Sequence, residues 1–288
     1  MIERGVVAYL DVLGTKGVPS GPLAVDYARR LSAFHDFAES QVMGAMGLLR
    51  SFFAVIAESP SLAEESVDHF SDSLYLWVPI DEGKDFVAVE EIAGVLIRLF
   101  HYGLAHKLPI RGGVSIGPFV AGKGIFIGEA VAEAVEWERV AQWSGVLFAP
   151  SATSPVIREE NNPSMRDHLS DFAWCHVPMK DSPIRSGAEL LALAWPNYPP
   201  EDLRDRIERL YLAGPLPMEV AAKYINTQGF LDEVRDMVAK GELRPPREAD
   251  RHIVQAIWDG DTNVTVLPPA RPALRPETYV RPPGSADS

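Results

Sequence analysis

The sequence predicts an α+β protein built on a split βαβ repeat. Apolar runs rich in β-branched and aromatic residues alternate with longer segments whose apolar residues recur at helical spacing. In chain order these segments are 6–10, 22–49, 66–79, 85–107 and 110–116. Because the third is a hairpin of two short strands, the order is strand, helix, strand, strand, helix, strand. That order predicts a ferredoxin-like sheet with helices on one face.

The first predicted strand ends at an acidic residue and a glycine turn. Residues 6–10 form a continuous apolar run, and Asp11 follows it directly. The chain then turns through Leu13, Gly14 and Thr15 before the helical pattern of 22–49 begins. An acid at a strand end beside free backbone N–H groups could hold a hard cation and a phosphate, although a solvated Asp before an ordinary turn is the commoner outcome.

The remaining elements follow from turn and breaker residues. Segment 66–79 predicts a tight hairpin with Phe70-Ser71-Asp72-Ser73 at its tip. Pro109 closes the second helix and precedes the strand of 110–116. After that strand, glycines lead into two appended elements, a helix of about 129–143 and a short strand at 146–150.

Changes in composition divide the chain into three parts. We expect a first domain at 1–150, a sheet and helical extension at 151–267 and a proline-rich, disordered tail at 268–288. Within the extension, the polar segment 158–168 predicts a loop, and 172–178 and 188–196 are apolar runs that could extend the sheet. Residues 200–258 then show helical patterns with two Gly and Pro breaks.

Composition limits the classes of function. The 288 residues are 47% hydrophobic and carry a formal net charge of −13, which argues against a nucleic-acid partner or an anionic lipid surface. A lone cysteine, Cys175, excludes an internal disulfide framework and favours the cytoplasm. Because no apolar run approaches the length of a membrane span and the first residues lack the basic start and long apolar core of a signal peptide, we expect a soluble protein with no membrane insertion.

Two carboxylates form the strongest candidate site. Asp11 ends the first strand, Asp72 lies at the hairpin tip, and these elements are neighbours in a ferredoxin-like sheet. Paired carboxylates beside a glycine turn offer oxygen ligands to two divalent cations and backbone N–H groups to a triphosphate. The sequence therefore predicts a site for metal-assisted phosphoryl chemistry.

At this point a family resemblance becomes visible. The succession DVLGT, FSDS, RGGVSIGPFVAG and GEAVAEAVEWE resembles the catalytic domain of class III nucleotidyl cyclases over roughly residues 5–150. The resemblance implies that 1–150 is a catalytic domain in which Asp11 and Asp72 hold two Mn²⁺ or Mg²⁺ ions and Arg111 begins a catalytic segment. It also implies that the first turn binds the phosphates of the nucleotide, through Val12, Leu13, Gly14, Thr15 and Lys16.

Four departures from that family are informative. Purine-specific members carry a Lys and an Asp that read the base, where this chain has Asp68 and Ile125. The catalytic Asn and Arg of the family align with Ala132 and Glu136, neither of which can donate to a transition-state oxyanion. These differences argue against an adenylate or guanylate cyclase of the usual kind. Two interpretations remain, a catalytically silent nucleotide-binding relative and a divergent branch that reads its base differently.

Other features favour the divergent branch. The short FSDS hairpin, the RGG strand and the extension containing Lys223-Tyr224-Ile225-Asn226-Thr227 resemble the Pycsar pyrimidine cyclases of bacterial anti-phage defence. This resemblance implies a homodimeric enzyme that makes cyclic UMP or cyclic CMP and thereby activates a separate effector protein. No motif separates UTP from CTP. The retained pair of metal-binding aspartates argues against the silent interpretation.

Different functional classes share the predicted fold. An RNA-binding module would need exposed aromatic residues on its sheet and a basic face, and a chain at −13 lacks the second. Diguanylate cyclases carry a G-G-D/E-E-F hairpin where this chain has FSDS. Fold alone does not decide between these classes, so the site residues must.

Overall fold

The computed structural model describes most of the chain in ten segments. These are residues 3–13, 22–53, 67–70, 72–80, 83–122, 125–162, 165, 168–180, 188–211 and 218–261. The predicted tail at 268–288 lies outside the described residues.

Eight strands of the described chain form one sheet, in the order β2-β3-β1-β4-β6-β8-β7, with β5 paired to β4. The strands are β1 (Glu3–Val12), β2 (Val67–Phe70), β3 (Ser73–Pro79), β4 (Ile110–Gly122), β5 (Ile125–Gly128), β6 (Val146–Phe148), β7 (Phe172–His176) and β8 (Glu189–Leu193). The helices are α1 (Pro22–Phe53), α2 (Asp85–Ala105), α3 (Glu129–Val140), α4 (Pro150–Glu160), α5 (Leu203–Tyr211), α6 (Met218–Lys240) and α7 (Glu248–Trp258).

The first four strands confirm the predicted fold class. They are antiparallel neighbours in the order β2-β3-β1-β4, and α1 and α2 connect them as a split βαβ repeat requires. This is the ferredoxin-like arrangement. The predicted hairpin is also present, with β2 ending at Phe70 and paired antiparallel to β3, which begins at Ser73.

Alternation along β1 divides the core between the two faces of the sheet. Val6, Ala8 and Leu10 belong to the large core that includes α1 and α2, which lie on one face as predicted. Val7 and Tyr9 belong to a smaller cluster on the other face, which α3 covers. The appended helix therefore packs opposite α1 and α2, and both faces of β1 are buried.

The sheet continues into the extension. β6 adds to β4 in parallel after the α3 crossover, β8 pairs with β6, and β7 pairs with β8. The runs at 172–178 and 188–196 therefore do extend the sheet. The prediction of a loop at 158–168 was wrong for its first three residues, because α4 continues to Glu160. This helix begins at Pro150, and proline is favoured at the first position of a helix.

A buried histidine connects α7 to the rest of the chain. His101 on α2 is fully buried, and the Trp258 indole N–H donates to its Nδ1 at 3.0 Å. Its Nε2 must then carry the proton, which it donates to the carbonyl oxygen of Trp195 at 3.1 Å. Burial lowers the pKa of His101 to about 3, so the ring stays neutral and both bonds persist.

None of the helices in the described segments is long and apolar enough to cross a membrane.

The His101 contact predicts a stability effect. Trp258→Phe keeps most of the apolar ring but removes the indole N–H, which leaves Nδ1 of a buried imidazole without its donor. We expect the free energy of unfolding to fall by about 1–3 kcal/mol in urea denaturation. The matched control is Arg206→Gln, which removes the guanidinium that stacks 4.8 Å from the Trp258 ring and spares the hydrogen bond. Equal losses in the two variants would assign the effect to the stacked cation instead.

Candidate functional site

The predicted site residues meet at one end of the sheet. In the strand register, Asp11 on β1 lies between Ser73 on β3 and Arg111 on β4. Asp72 immediately precedes Ser73, and its carbonyl oxygen accepts the Val12 N–H at 3.0 Å. Neighbouring strands therefore bring Asp11, Asp72 and Arg111 close together at one end of the sheet.

Arg111 lies between two carboxylates. Its Nε and Nη2 are 3.4 and 3.3 Å from Oδ2 of Asp11, at the long end of the hydrogen-bond range. Its Nε also makes a much closer ion pair with Oε1 of Glu138 on α3. The Arg111 side chain is only 18% exposed, so both contacts are partly shielded from water.

Glu138 is a site residue that the sequence analysis missed. Its side chain is 4% exposed and faces Arg111. Burial raises the pKa of Glu138 to about 7, the nearby Arg111 charge opposes that rise, and Asp11 adds to it. The available signal was its position, because a glutamate on the buried face of α3 needs a cationic partner.

A glycine allows α3 to approach closely enough for this pair. Gly113 points toward α3, where a Cβ atom would lie 2.1 Å from the Ala134 carbonyl oxygen and 3.0 Å from the Glu138 nitrogen. Any side chain at 113 would therefore push the helix away from the sheet. The second glycine of the RGG segment thus sets the distance between Arg111 and Glu138.

The charges around Asp11 are mutually dependent. Burial raises the pKa of Asp11, the Arg111 charge and hydrogen bonds lower it, Asp72 raises it and Lys223 lowers it. Lys223 lies on α6, which belongs to the extension. Its helix is fixed beside the site by hydrogen bonds from Asn226 Nδ2 to the Gln142 oxygen at 2.7 Å and from the Ser144 N–H to Thr227 Oγ1 at 2.9 Å. The extension therefore contributes a positive charge to the site.

Two tyrosines complete the surroundings. The Tyr9 and Ser73 hydroxyls lie 2.9 Å apart, next to Asp11 on the same face. Tyr27 on α1, which its helical spacing predicts as a core residue, has a buried hydroxyl with no hydrogen-bond partner among the described residues. Burial, followed by the charge of Asp72, raises the pKa of Tyr27 to about 12. A neutral phenol is therefore held close to the aspartate pair.

The proposed phosphate turn is described only in part. The Leu13 N–H donates to the Pro109 oxygen at 2.7 Å, and the Val12 N–H is bonded to Asp72. These two amides are occupied in this conformation, so a backbone grip on phosphate would have to come from Gly14, Thr15 and Lys16. Those three residues lie outside the described segments.

The four residues that depart from the cyclase pattern lie on α3, β5 and β2. Ala132 and Glu136 are exposed on α3, on a different side from the buried Glu138. Ile125 on β5 is 54% exposed. Asp68 pairs with Tyr75 across the β2–β3 ladder through the backbone, and its side chain is not described.

The carboxylates fit a divalent cation in part. Burial and, to a smaller extent, the negative charge of Asp72 raise the pKa of Asp11, so a cation bound by the two carboxylates would relieve their repulsion. Carboxylate oxygens are also the ligands that Mg²⁺ and Mn²⁺ prefer. Within the described segments no cluster of three or more His, Cys, Asp or Glu could hold a metal, so phosphate and water oxygens would complete the coordination.

Comparison with known proteins gives little further information about the role of these residues. No family model matches the chain, and no curated protein matches it. Among solved structures, the crystal structure of the guanylyl cyclase Cya2 aligns with 67% of this chain and 93% of its own, at 10% sequence identity and a TM-score of 0.37. A similarity this weak carries no argument, so function has to be inferred from the residues of this chain.

The buried ion pair predicts a pH-dependent stability effect. Arg111→Met leaves Glu138 buried without its cation, and the pKa of Glu138 then rises above its wild-type value of about 7, because burial is no longer opposed by the Arg111 charge. We expect a loss of up to about 3–5 kcal/mol in urea denaturation at pH 8, where the wild type keeps the ion pair. At pH 6 Glu138 is protonated in the folded state of both proteins, so the loss should shrink. The pH dependence has this direction because the pKa of Glu138 is raised in the folded state, which therefore binds the proton more tightly than the unfolded state does.

The control for this effect is the double variant Arg111→Met, Glu138→Gln. Removing both charges should recover much of the stability at pH 8. A single Arg111→Met variant as stable as the wild type at pH 8 would show that the pair contributes nothing.

Proposed function

We propose that this protein is a metal-dependent nucleotidyl cyclase that converts UTP or CTP to the 3′,5′-cyclic monophosphate and pyrophosphate. The observation that carries the proposal is the meeting of Asp11 and Asp72 at neighbouring strand ends, where both carboxylates share one electrostatic environment. A binding-only domain has no need for such a pair. The order of the DVLGT, FSDS and RGG segments supports the same chemistry, because it resembles the class III cyclases.

The proposed reaction is an internal phosphoryl transfer. The ribose 3′-oxygen forms a bond to the α-phosphorus, the bond from that phosphorus to the bridging oxygen of the β-phosphate breaks, and the hydroxyl proton passes to solvent. Two Mn²⁺ or Mg²⁺ ions held by Asp11 and Asp72 would supply Lewis-acid activation of the hydroxyl and neutralisation of the phosphates. Lys223 adds a positive charge near the same carboxylates.

The pyrimidine preference is supported by what the site lacks. Asp68 and Ile125 stand where purine-specific relatives place the Lys and Asp that read the base. A buried purine edge without matching groups costs about 1–3 kcal/mol for each unmet group. Pyrimidines are smaller and leave room for water or another protein group. We therefore assign UTP or CTP as the substrate.

Assembly and biological role follow from the same proposal. A chain with one cyclase-like domain would complete its site as a homodimer, with the product acting as a second messenger for a separate effector protein in anti-phage defence. Ile125 and Ile127 support an assembly surface on β5, since their side chains are 54% and 60% exposed. A strictly monomeric species in light scattering that still turns over substrate would contradict the dimer.

A second candidate function has its own supporting observation. Ala132 and Glu136 on α3 cannot donate a hydrogen bond to an oxyanion, and Arg111 is held by two carboxylates. These features fit a catalytically silent nucleotide-binding regulatory domain. Product formation separates the two candidates.

The aspartate pair gives the first test. Asp11→Asn and Asp72→Asn should each lower cyclic nucleotide formation by at least about a hundredfold, because each removes one carboxylate charge from the proposed metal site. The measurement is product analysis by mass spectrometry with Mn²⁺ and with Mg²⁺. The matched control is Asp205→Asn on α5, outside the site, which should keep full activity. Full activity in Asp72→Asn would remove the two-metal assignment.

Base choice gives the second test. In a mixture of equal concentrations of the four nucleoside triphosphates, we expect cyclic UMP or cyclic CMP to exceed the purine products by about a hundredfold or more, since two unmet groups act together. Dominant cyclic AMP or cyclic GMP would overturn the pyrimidine assignment. No product from any triphosphate, with nucleotide binding retained, would favour the silent domain.

A further inference from the structure

Arg111 has two carboxylate partners that hold it unequally. Its contacts to Asp11 are 3.3 and 3.4 Å, longer than a usual charge-assisted hydrogen bond. The contact from its Nε to Glu138 is much closer. The guanidinium is therefore shared between the two carboxylates: it donates long hydrogen bonds to Asp11 and forms a closer ion pair with Oε1 of Glu138, which accepts no hydrogen bond among the described residues.

The position of Glu138 is set by packing. Its side chain is 4% exposed, on the buried face of a helix that lies against β4 because Gly113 has no side chain. The backbone of α3 therefore cannot withdraw Glu138 without opening the smaller core around Val131 and Ala134. Glu138 is thus a rigid partner for Arg111.

We infer that Glu138 is a positioning residue that holds the Arg111 guanidinium and so keeps Asp11 available as a ligand for a divalent cation. The inference deepens the proposed function and rests on it. If Glu138 lost its charge, Asp11 would be the remaining carboxylate in contact with Arg111 among the described residues. The guanidinium would then close onto Asp11 and compete with the cation for the same oxygens.

The charges that face this site support the assignment. Asp11, Asp72 and Glu138 are acidic, and Arg111, Lys223 and Arg139 are basic. Glu138 offsets Arg111, which leaves the aspartates to attract a cation. Neutralising Glu138 removes one negative charge from this group and leaves the Arg111 charge, which contacts Asp11, without its second carboxylate.

The test is a Mn²⁺ binding titration followed by electron paramagnetic resonance at pH 8, without nucleotide. Relative to the wild type, we expect Glu138→Gln to raise the Mn²⁺ dissociation constant roughly tenfold. Glu138→Asp keeps the charge but is one methylene shorter, so it should reach Arg111 poorly and show an intermediate rise. Glu136→Gln removes the same charge from an exposed position on α3 and should change the constant by less than about twofold.

A kinetic measurement accompanies the binding data. The Mn²⁺ concentration for half-maximal rate should rise with the dissociation constant, whereas the rate at saturating Mn²⁺ should stay within about threefold of the wild type. Melting temperatures check that each variant is folded. If Glu138→Gln fails to fold, Glu138→Asp tests the same inference.

The outcomes separate this inference from the proposed function. If the wild type binds Mn²⁺ through Asp11 and both Glu138 variants bind it equally well, only the positioning role falls. A Glu138→Asp variant identical to the wild type, beside a weakened Glu138→Gln, would show that charge alone matters and would also overturn positioning. If the wild type shows no Mn²⁺ binding that Asp11→Asn abolishes, the metal site and this inference fall together.

Discussion

The close approach of α3 to β4 at Gly113 is the constraint on which the site depends. With no Cβ at this position, helix backbone lies directly against the strand, and Glu138 reaches Arg111. A larger residue would move α3 away and leave a buried carboxylate without its cation. The same helix covers the smaller core on its side of the sheet, so the packing of that face and the electrostatics of the site share one cause.

The site is a balance of charges rather than a cluster of isolated ligands. Arg111 lies between Asp11 and Glu138, and Lys223 reaches the same carboxylates from the extension. Burial raises the pKa of Asp11 and of Glu138, and the charges of Arg111 and Lys223 oppose that rise, because burial also weakens screening by water. The extension therefore contributes to the site as well as to the sheet. The hydrogen bonds of Asn226 and Thr227 fix α6, and α6 carries the Lys223 charge that lowers the pKa of Asp11.

Because the similarity to a solved cyclase is weak, function has to be inferred from the residues of this chain. For the proposed function, the aspartate pair is the supporting feature, whereas Ala132 and Glu136 stand where the resemblance would supply an Asn and an Arg. A cyclase that works without them must stabilise its transition state through other charges. Lys223 is one such charge within the described structure, and it comes from a part of the chain outside the resembling domain.

Local sequence patterns determined the split βαβ repeat and the hairpin, because hydrophobic periodicity and turn residues act over a few positions. They did not give the ends of the first strand, which was predicted at 6–10 but runs from Glu3 to Val12 and so includes Asp11. They also indicated that Asp11 and Asp72 would lie close together, since strand order follows from the repeat, whereas Arg111 was assigned to the site only by the family resemblance. Glu138, Lys223 and the occupied amides of residues 12–13 could not be predicted in this way. Their roles depend on the face that α3 covers and on where α6 docks, and those contacts join residues far apart in the chain through packing that no local pattern encodes.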